Sequence, residues 1–93
     1  MTYTVTWLPE VEQLLAEWWV DNPALRNSIT SAADTIDKLL QRAPYDSGVH
    51  SFDNVYSLAV VPLGVDYEID DGDRKVIVLS VWMLPDGSVN GAP

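Results

Sequence analysis

The feature that most constrains this chain is the nine-residue run KVIVLSVWM, Lys75–Met83, which is apolar at both parities of a strand. Side chains alternate from face to face along a strand, so Val76, Val78 and Trp82 fall on one side and Ile77, Leu79, Val81 and Met83 on the other. Such a strand needs an inner place in a sheet, or cover on both faces. The rest of the chain must supply that cover from short elements, because 93 residues make a single domain, residues 1–93. A domain of this size buries only about 60–65% of the surface its unfolded chain exposes. With no cysteine, neither a disulfide nor a thiolate metal site can supplement the core. Tight packing or a partner must do so.

The preceding residues read as the missing layers. Tyr3, Val5 and Trp7 alternate with Thr2, Thr4 and Thr6, which predicts a strand with one apolar face. At Pro9, a residue suited to the first turn of a helix, the period changes. Val11, Leu14, Leu15, Trp18 and Trp19 then mark a broad helical face, with Glu10 and Glu12 placed where the helix dipole favours negative charge. Asp21-Asn22-Pro23 breaks this helix, and a second runs from Ala24 to Arg42 on the stripe Leu25, Ile29, Ala32, Ile36, Leu39 and Leu40. So short a break predicts an antiparallel helical hairpin.

Residues 43–54 are rich in turn formers and read as a loop. Strands follow at Val55–Val61 and Val65–Asp70, the latter with Val65, Tyr67 and Ile69 inward and Asp66, Glu68 and Asp70 toward solvent. Asp71-Gly72 predicts a hairpin turn leading into Lys75–Met83. The segment Leu84–Pro93, with two Gly and two Pro, reads as a loose tail. The order is β-α-α-β-β-β: an α+β fold in which a helical hairpin packs on a mostly antiparallel sheet.

Charge narrows the partners. Fourteen acidic residues against five basic give a net charge of −9, and Arg26, Lys38, Arg42, Arg74 and Lys75 are scattered over three segments. Nucleic-acid binding depends on clustered cations that neutralise phosphates, so direct binding to DNA or RNA is not expected. No apolar run approaches the roughly 20 residues of a membrane span, and the first residues lack the pattern of a signal peptide. The expected location is the cytoplasm.

The order of elements, with these residues, resembles the RelE/ParE family of bacterial toxins from toxin–antitoxin pairs. The likeness runs from Thr2 to Trp82. Its carriers are Tyr3-Thr4-Val5-Thr6-Trp7 followed at once by an acidic amphipathic helix, the stretch Val65-Asp66-Tyr67-Glu68-Ile69-Asp70-Asp71, and the valine-rich Val76–Trp82. The resemblance implies a protein neutralised by a cognate antitoxin. In the ribonuclease members it also implies Arg or Lys along the sheet, gripping messenger RNA and stabilising charge at the scissile phosphate. Here Ser57 and Ala59 stand in the strand that is usually basic. Gly64 stands where an Arg usually opens the next strand, Ser80 at the usual Arg of the last, and Leu84 at a frequent terminal basic position. Phosphoryl transfer depends on electrostatic stabilisation of growing negative charge, and without cations that chemistry is lost. No catalytic residue is assigned. The gyrase-poisoning branch of the family needs no ribonuclease site and stays compatible.

Other candidate groups have plainer readings. His50, near Asp46 and Asp53, lacks a nucleophile and reads as a solvated histidine. Asp70-Asp71-Gly72-Asp73 lacks the further ligands of a calcium loop and reads as a turn. There is no nucleophile elbow and no Gly-rich phosphate loop, so neither cofactor nor metal is expected. The four tryptophans are too bulky for one small core: Trp7 and one of Trp18 and Trp19 read as packed, the other and Trp82 as interface. The expected partner surface is Trp82, Val78, Val76 and Trp19, covered by an antitoxin or by a second copy of the chain. The functional expectation is a toxin-like member of a type II toxin–antitoxin pair acting by protein binding. The alternatives are a ribosome-dependent endoribonuclease and a non-toxic interaction module on the same fold.

Overall fold

The doubly apolar run forms strand β5 (Lys75–Met83), held between two others as its composition requires. In the computed structural model, which describes residues 2–84, β1 (Thr4–Trp7) lies parallel to it on one side and β4 (Leu63–Asp70) antiparallel on the other. Beyond β4 come β3 (Val55–Val60) and β2 (Val49–Phe52), both antiparallel, so the five-stranded sheet has the order β1-β5-β4-β3-β2. Helices α1 (Pro9–Asp21) and α2 (Arg26–Arg42) and the single turn α3 (Pro44–Ser47) join these strands among the described residues. The fold is α+β, helices on a mostly antiparallel sheet. The tail expected from Leu84 onward lies, apart from Leu84 itself, outside the described residues.

The helices cover one face. Val11 of α1 and Ala32, Ile36 and Leu40 of α2 meet Leu63, Val65, Tyr67 and Ile69 of β4 and Val76, Val78 and Val81 of β5 in one buried cluster. Trp7 packs against that cluster, and its indole N–H donates to Asp37 Oδ1 at 3.1 Å, which ties β1 to α2. Side chains reach three of the last four carbonyls of α1, which have no partner within the helix. Asn22 donates to Trp18 O at 2.9 Å through its side-chain amide, and Arg26 donates to the carbonyls of Trp19 and Val20 at 2.7 and 3.2 Å. The break between α1 and α2 is a short 3-10 turn, Pro23–Leu25, so the second helix starts at Arg26 rather than Ala24.

Three features depart from the pattern read in the sequence. First, residues 43–54 are not one loop: they hold α3, and also β2, which pairs with β3 through the two-residue turn Asp53-Asn54. Asp53 takes a φ of 46°, a conformation Asp and Asn tolerate better than most residues. Second, the positive φ of the β4–β5 turn falls on Arg74, at 53°, and not on Gly72. Third, the register between β4 and β5 shifts. Asp66 faces Ser80 and Tyr67 faces Val78, which leaves Leu79 as an extra, bulged residue.

That bulge reverses the alternation of β5. Val76 and Val78 point at the helices and are fully buried, and after the bulge Val81 points there too. Trp82 is thereby turned to the opposite face, away from the two valines with which simple alternation groups it.

Candidate functional site

Opposite residues of an antiparallel pair share a face, so the registers define the side of the sheet that the helices leave uncovered. Going across it, Trp82 pairs with Gly64 and Gly64 with Ala59; one step along, Ser80 pairs with Asp66 and Asp66 with Ser57; a further step brings Ile77, Glu68 and Val55 into line. On β2, Val49 joins this face opposite Ser57, and Phe52 joins it opposite Val55.

The centre of the face is a hydrogen-bonded triad. Ser57 Oγ donates to Asp66 Oδ1 at 2.5 Å, and Ser80 Oγ donates to Asp66 Oδ2 at 3.3 Å, from the strands on either side. Beside it the Trp82 indole lies directly over Gly64, in a space that any side chain at Gly64 would fill. Gly64→Ala is therefore expected to push the ring outward and to raise acrylamide quenching of tryptophan emission. Unchanged quenching would show that the ring is not seated there.

Four positions at which the resemblance implies cations, Ser57, Ala59, Gly64 and Ser80, thus converge on one contiguous block of this face. Their surroundings are acidic. Asp66 and Glu68 stand in the middle, and Asp70 faces Lys75 at the end near the turn. The other cations are elsewhere among the described residues. Arg26 closes α1, with its guanidinium 4.4 Å from the Trp19 ring centre; Lys38 pairs with Asp34 at 3.0 Å; Arg42 ends α2; Arg74 lies over the Tyr3 ring.

The four residues expected to form a partner surface are not brought together. Val76 and Val78 lie in the core, and on this structure they cannot meet a partner without unfolding. Trp19, 43% exposed, sits on the helical layer, where it donates to Thr30 Oγ1 at 3.2 Å and carries Arg26. Trp82, 38% exposed, remains on the open face. Trp7 and Trp18 pack against the core.

A second polar cluster lies at the end of the sheet next to the β4–β5 turn. Tyr45 and Tyr3 both donate to the Asp71 carboxylate, from Oη to Oδ2 and Oδ1 respectively. These hydroxyls, Tyr45 foremost, hold Asp71 below the usual carboxylate range, and the same bond to Asp71 pushes Tyr45 up to about 12. The contacts explain the turn: Asp71 ties it to β1 and α3. Among the described residues no three His, Cys, Asp or Glu side chains converge as a metal site would need. His50 lies in β2 rather than a loop, with Nε2 2.8 Å from the Asp53 carbonyl oxygen and its ring against Tyr56. None of these groups holds a nucleophile beside a base. Sequence spacing does not reveal the Asp66 triad, since its members lie nine and fourteen residues apart and only the strand register joins them.

No protein-family model matches the sequence, and no curated protein does. Solved structures do match. The toxin–antitoxin complex RelBE2 from Mycobacterium tuberculosis contains a chain 20% identical, with a TM-score of 0.74, covering 92% of this chain and 95% of that one. The isolated RelE toxin of E. coli is 15% identical with a TM-score of 0.60, over 96% of this chain and 92% of that one. The archaeal RelE–RelB complex from Pyrococcus horikoshii OT3 matches at 15% identity and a TM-score of 0.61, over 92% and 99%. The fold of this chain is that of the RelE toxins.

Proposed function

We propose that this chain is a toxin-like component of a type II toxin–antitoxin pair, acting through protein binding and neutralised by a cognate antitoxin. The fold favours the general role: two of the similar structures were solved as toxin–antitoxin complexes. The observation that carries the mechanism is the Ser57–Asp66–Ser80 triad at the centre of the open face. A carboxylate there repels a scissile phosphate, and two hydroxyls cannot replace the cations that would stabilise its transition state. The same face, with a chain charge of −9, disfavours the phosphate contacts on which nucleic-acid affinity rests. Among the described residues no helix is long and apolar enough to cross a membrane. The setting proposed for this role is the cytoplasm.

Two measurements test the reading. Purified protein added to translating ribosomes is expected to leave messenger RNA intact in a primer-extension assay. Codon-specific cuts would restore the ribonuclease. Induced expression in a bacterial host is expected to arrest growth, and co-expression with the neighbouring small reading frame to relieve the arrest while the two products co-purify. Growth unaffected by expression, with no co-purifying product, would sink the toxin role and leave a non-toxic interaction module.

A further inference from the structure

We infer that the open face of the sheet receives an extended, basic segment of a partner protein, with an arginine seated between Trp82 and Asp66. This deepens the protein-binding reading and rests on it: it specifies the chemistry of what docks.

The argument begins with what the face offers. Gly64 and Asp66 are successive same-face positions on β4, so the Trp82 indole above Gly64 and the Asp66 carboxylate lie roughly 7 Å apart along the strand. A guanidinium is flat enough to stack on the first and long enough to turn its fork toward the second. Each Asp66 oxygen accepts one serine hydroxyl, which leaves about two of its four lone-pair sites free for a bidentate partner. Ser57 and Ser80 fix the carboxylate in place before anything binds. Glu68, one same-face step further along β4, supplies a second charge.

The far end of the face is apolar. Val49 and Phe52, 74% and 60% exposed, flank the edge on β2. Three inter-strand spacings, about 14 Å, separate that edge from β5, which an extended segment of four or five residues spans. The fitting occupant carries Arg or Lys at one end and an aliphatic or aromatic side chain at the other.

Charge complementarity excludes the competitors. A second copy of the chain brings another −9 and the same acidic face. RNA meets Asp66 and Glu68 with its own negative charge. Residues 85–93 contain no Lys or Arg, so the chain's own C-terminal residues offer no cation.

The test uses the full chain and three probes: a peptide of about twelve residues bearing Arg and Leu, its counterpart with Glu for Arg, and a single-stranded RNA of similar length, titrated calorimetrically at about 150 mM salt. The basic peptide alone is expected to bind. Asp66→Asn with Glu68→Gln should weaken it at least about tenfold, and Trp82→Ala similarly, whereas Trp82→Phe keeps most of the affinity. The Asn, Gln and Phe replacements preserve shape, and matching thermal melts confirm that the variants stay folded. Equal affinity for the Asp66→Asn/Glu68→Gln variant, binding of the acidic peptide or of the RNA, or a dimer that Trp82→Ala dissociates, would each overturn the proposal. Failure of the basic peptide while the chain still co-purifies with a cellular partner overturns the charge assignment alone. Failure of the protein-partner reading shows instead in the growth and co-purification assays, which involve no peptide.

Discussion

Val78→Asp is expected to leave the chain unfolded, while Trp82→Asp, four residues further along the same strand, leaves it folded. Val78 is fully buried in the cluster that joins β5 to the helices. No basic side chain belongs to that cluster. An unpaired carboxylate there loses its hydration without compensation, a cost of several kcal/mol even after relaxation. The packing of the valine is lost as well. Together these approach the whole stability of about 5–10 kcal/mol available to a small domain. Trp82 carries no such burden. Its ring lies on the open face above Gly64, and an aspartate in its place reaches water. Far-UV circular dichroism of the two variants should separate cleanly, one coil-like and one native, and Trp82→Asp should lose the basic peptide while keeping its native spectrum. A native spectrum for Val78→Asp, or a coil spectrum for Trp82→Asp, would mean that the strand is not turned at Leu79.

That pair of variants also marks the limit of what alternation can reveal. The parity of the apolar residues in Lys75–Met83 is enough to demand an inner strand, and β5 is one. It cannot locate a bulge, because an inserted residue changes the face of everything after it without changing a single letter. Simple alternation therefore groups Val76 and Val78 with Trp82. The helices were more legible, since a stripe such as Ile29, Ala32, Ile36 and Leu40 tolerates a residue of error at either end and still faces the core. Strand β2 was hidden by its own shortness. Four residues, all exposed, carry little apolar alternation, and the useful signal was the Asp53-Asn54 pair between Phe52 and Val55, a turn of hairpin length.

The site followed the same division. Serine, alanine and glycine at positions 57, 59, 64 and 80 could be read as missing cations from the sequence. Their convergence around Asp66 is a property of register, which pairs residues from three strands. Asp66 itself looked like one solvent-facing acid among three in β4. Only its two serine donors distinguish it.

The second large effect is expected at Tyr67, where the sheet, α3 and the β2 edge meet. Tyr67 is fully buried in β4, and its hydroxyl donates to the Pro44 carbonyl at 2.6 Å. Its ring stacks on Tyr56 at 5.8 Å between centroids, and Tyr56 in turn supports Tyr45 and His50. Removing the ring in Tyr67→Ala deletes the largest fully buried side chain and should cost about 3–5 kcal/mol. Tyr67→Phe keeps the ring but leaves the Pro44 carbonyl without this donor, at a cost of about 1–2 kcal/mol. The loss should spread outward from this corner, with amides of β2, already a short edge strand, exchanging fastest in either variant. Alkaline pH tests the same contact without mutation. Burial, with a smaller contribution from neighbouring Tyr56, pushes the Tyr67 hydroxyl up to about 12 from an ordinary value of 10.0. The folded chain therefore holds this proton more tightly than the unfolded chain does. The associated stability is complete below pH 10 and declines as pH rises through about 12. Denaturant midpoints measured from pH 9 upward should fall more steeply for the wild type than for Tyr67→Phe, in which that ionisation is absent. Parallel curves for the two proteins would show that Tyr67 ionises no less readily when folded, and that its hydroxyl is not sealed against Pro44.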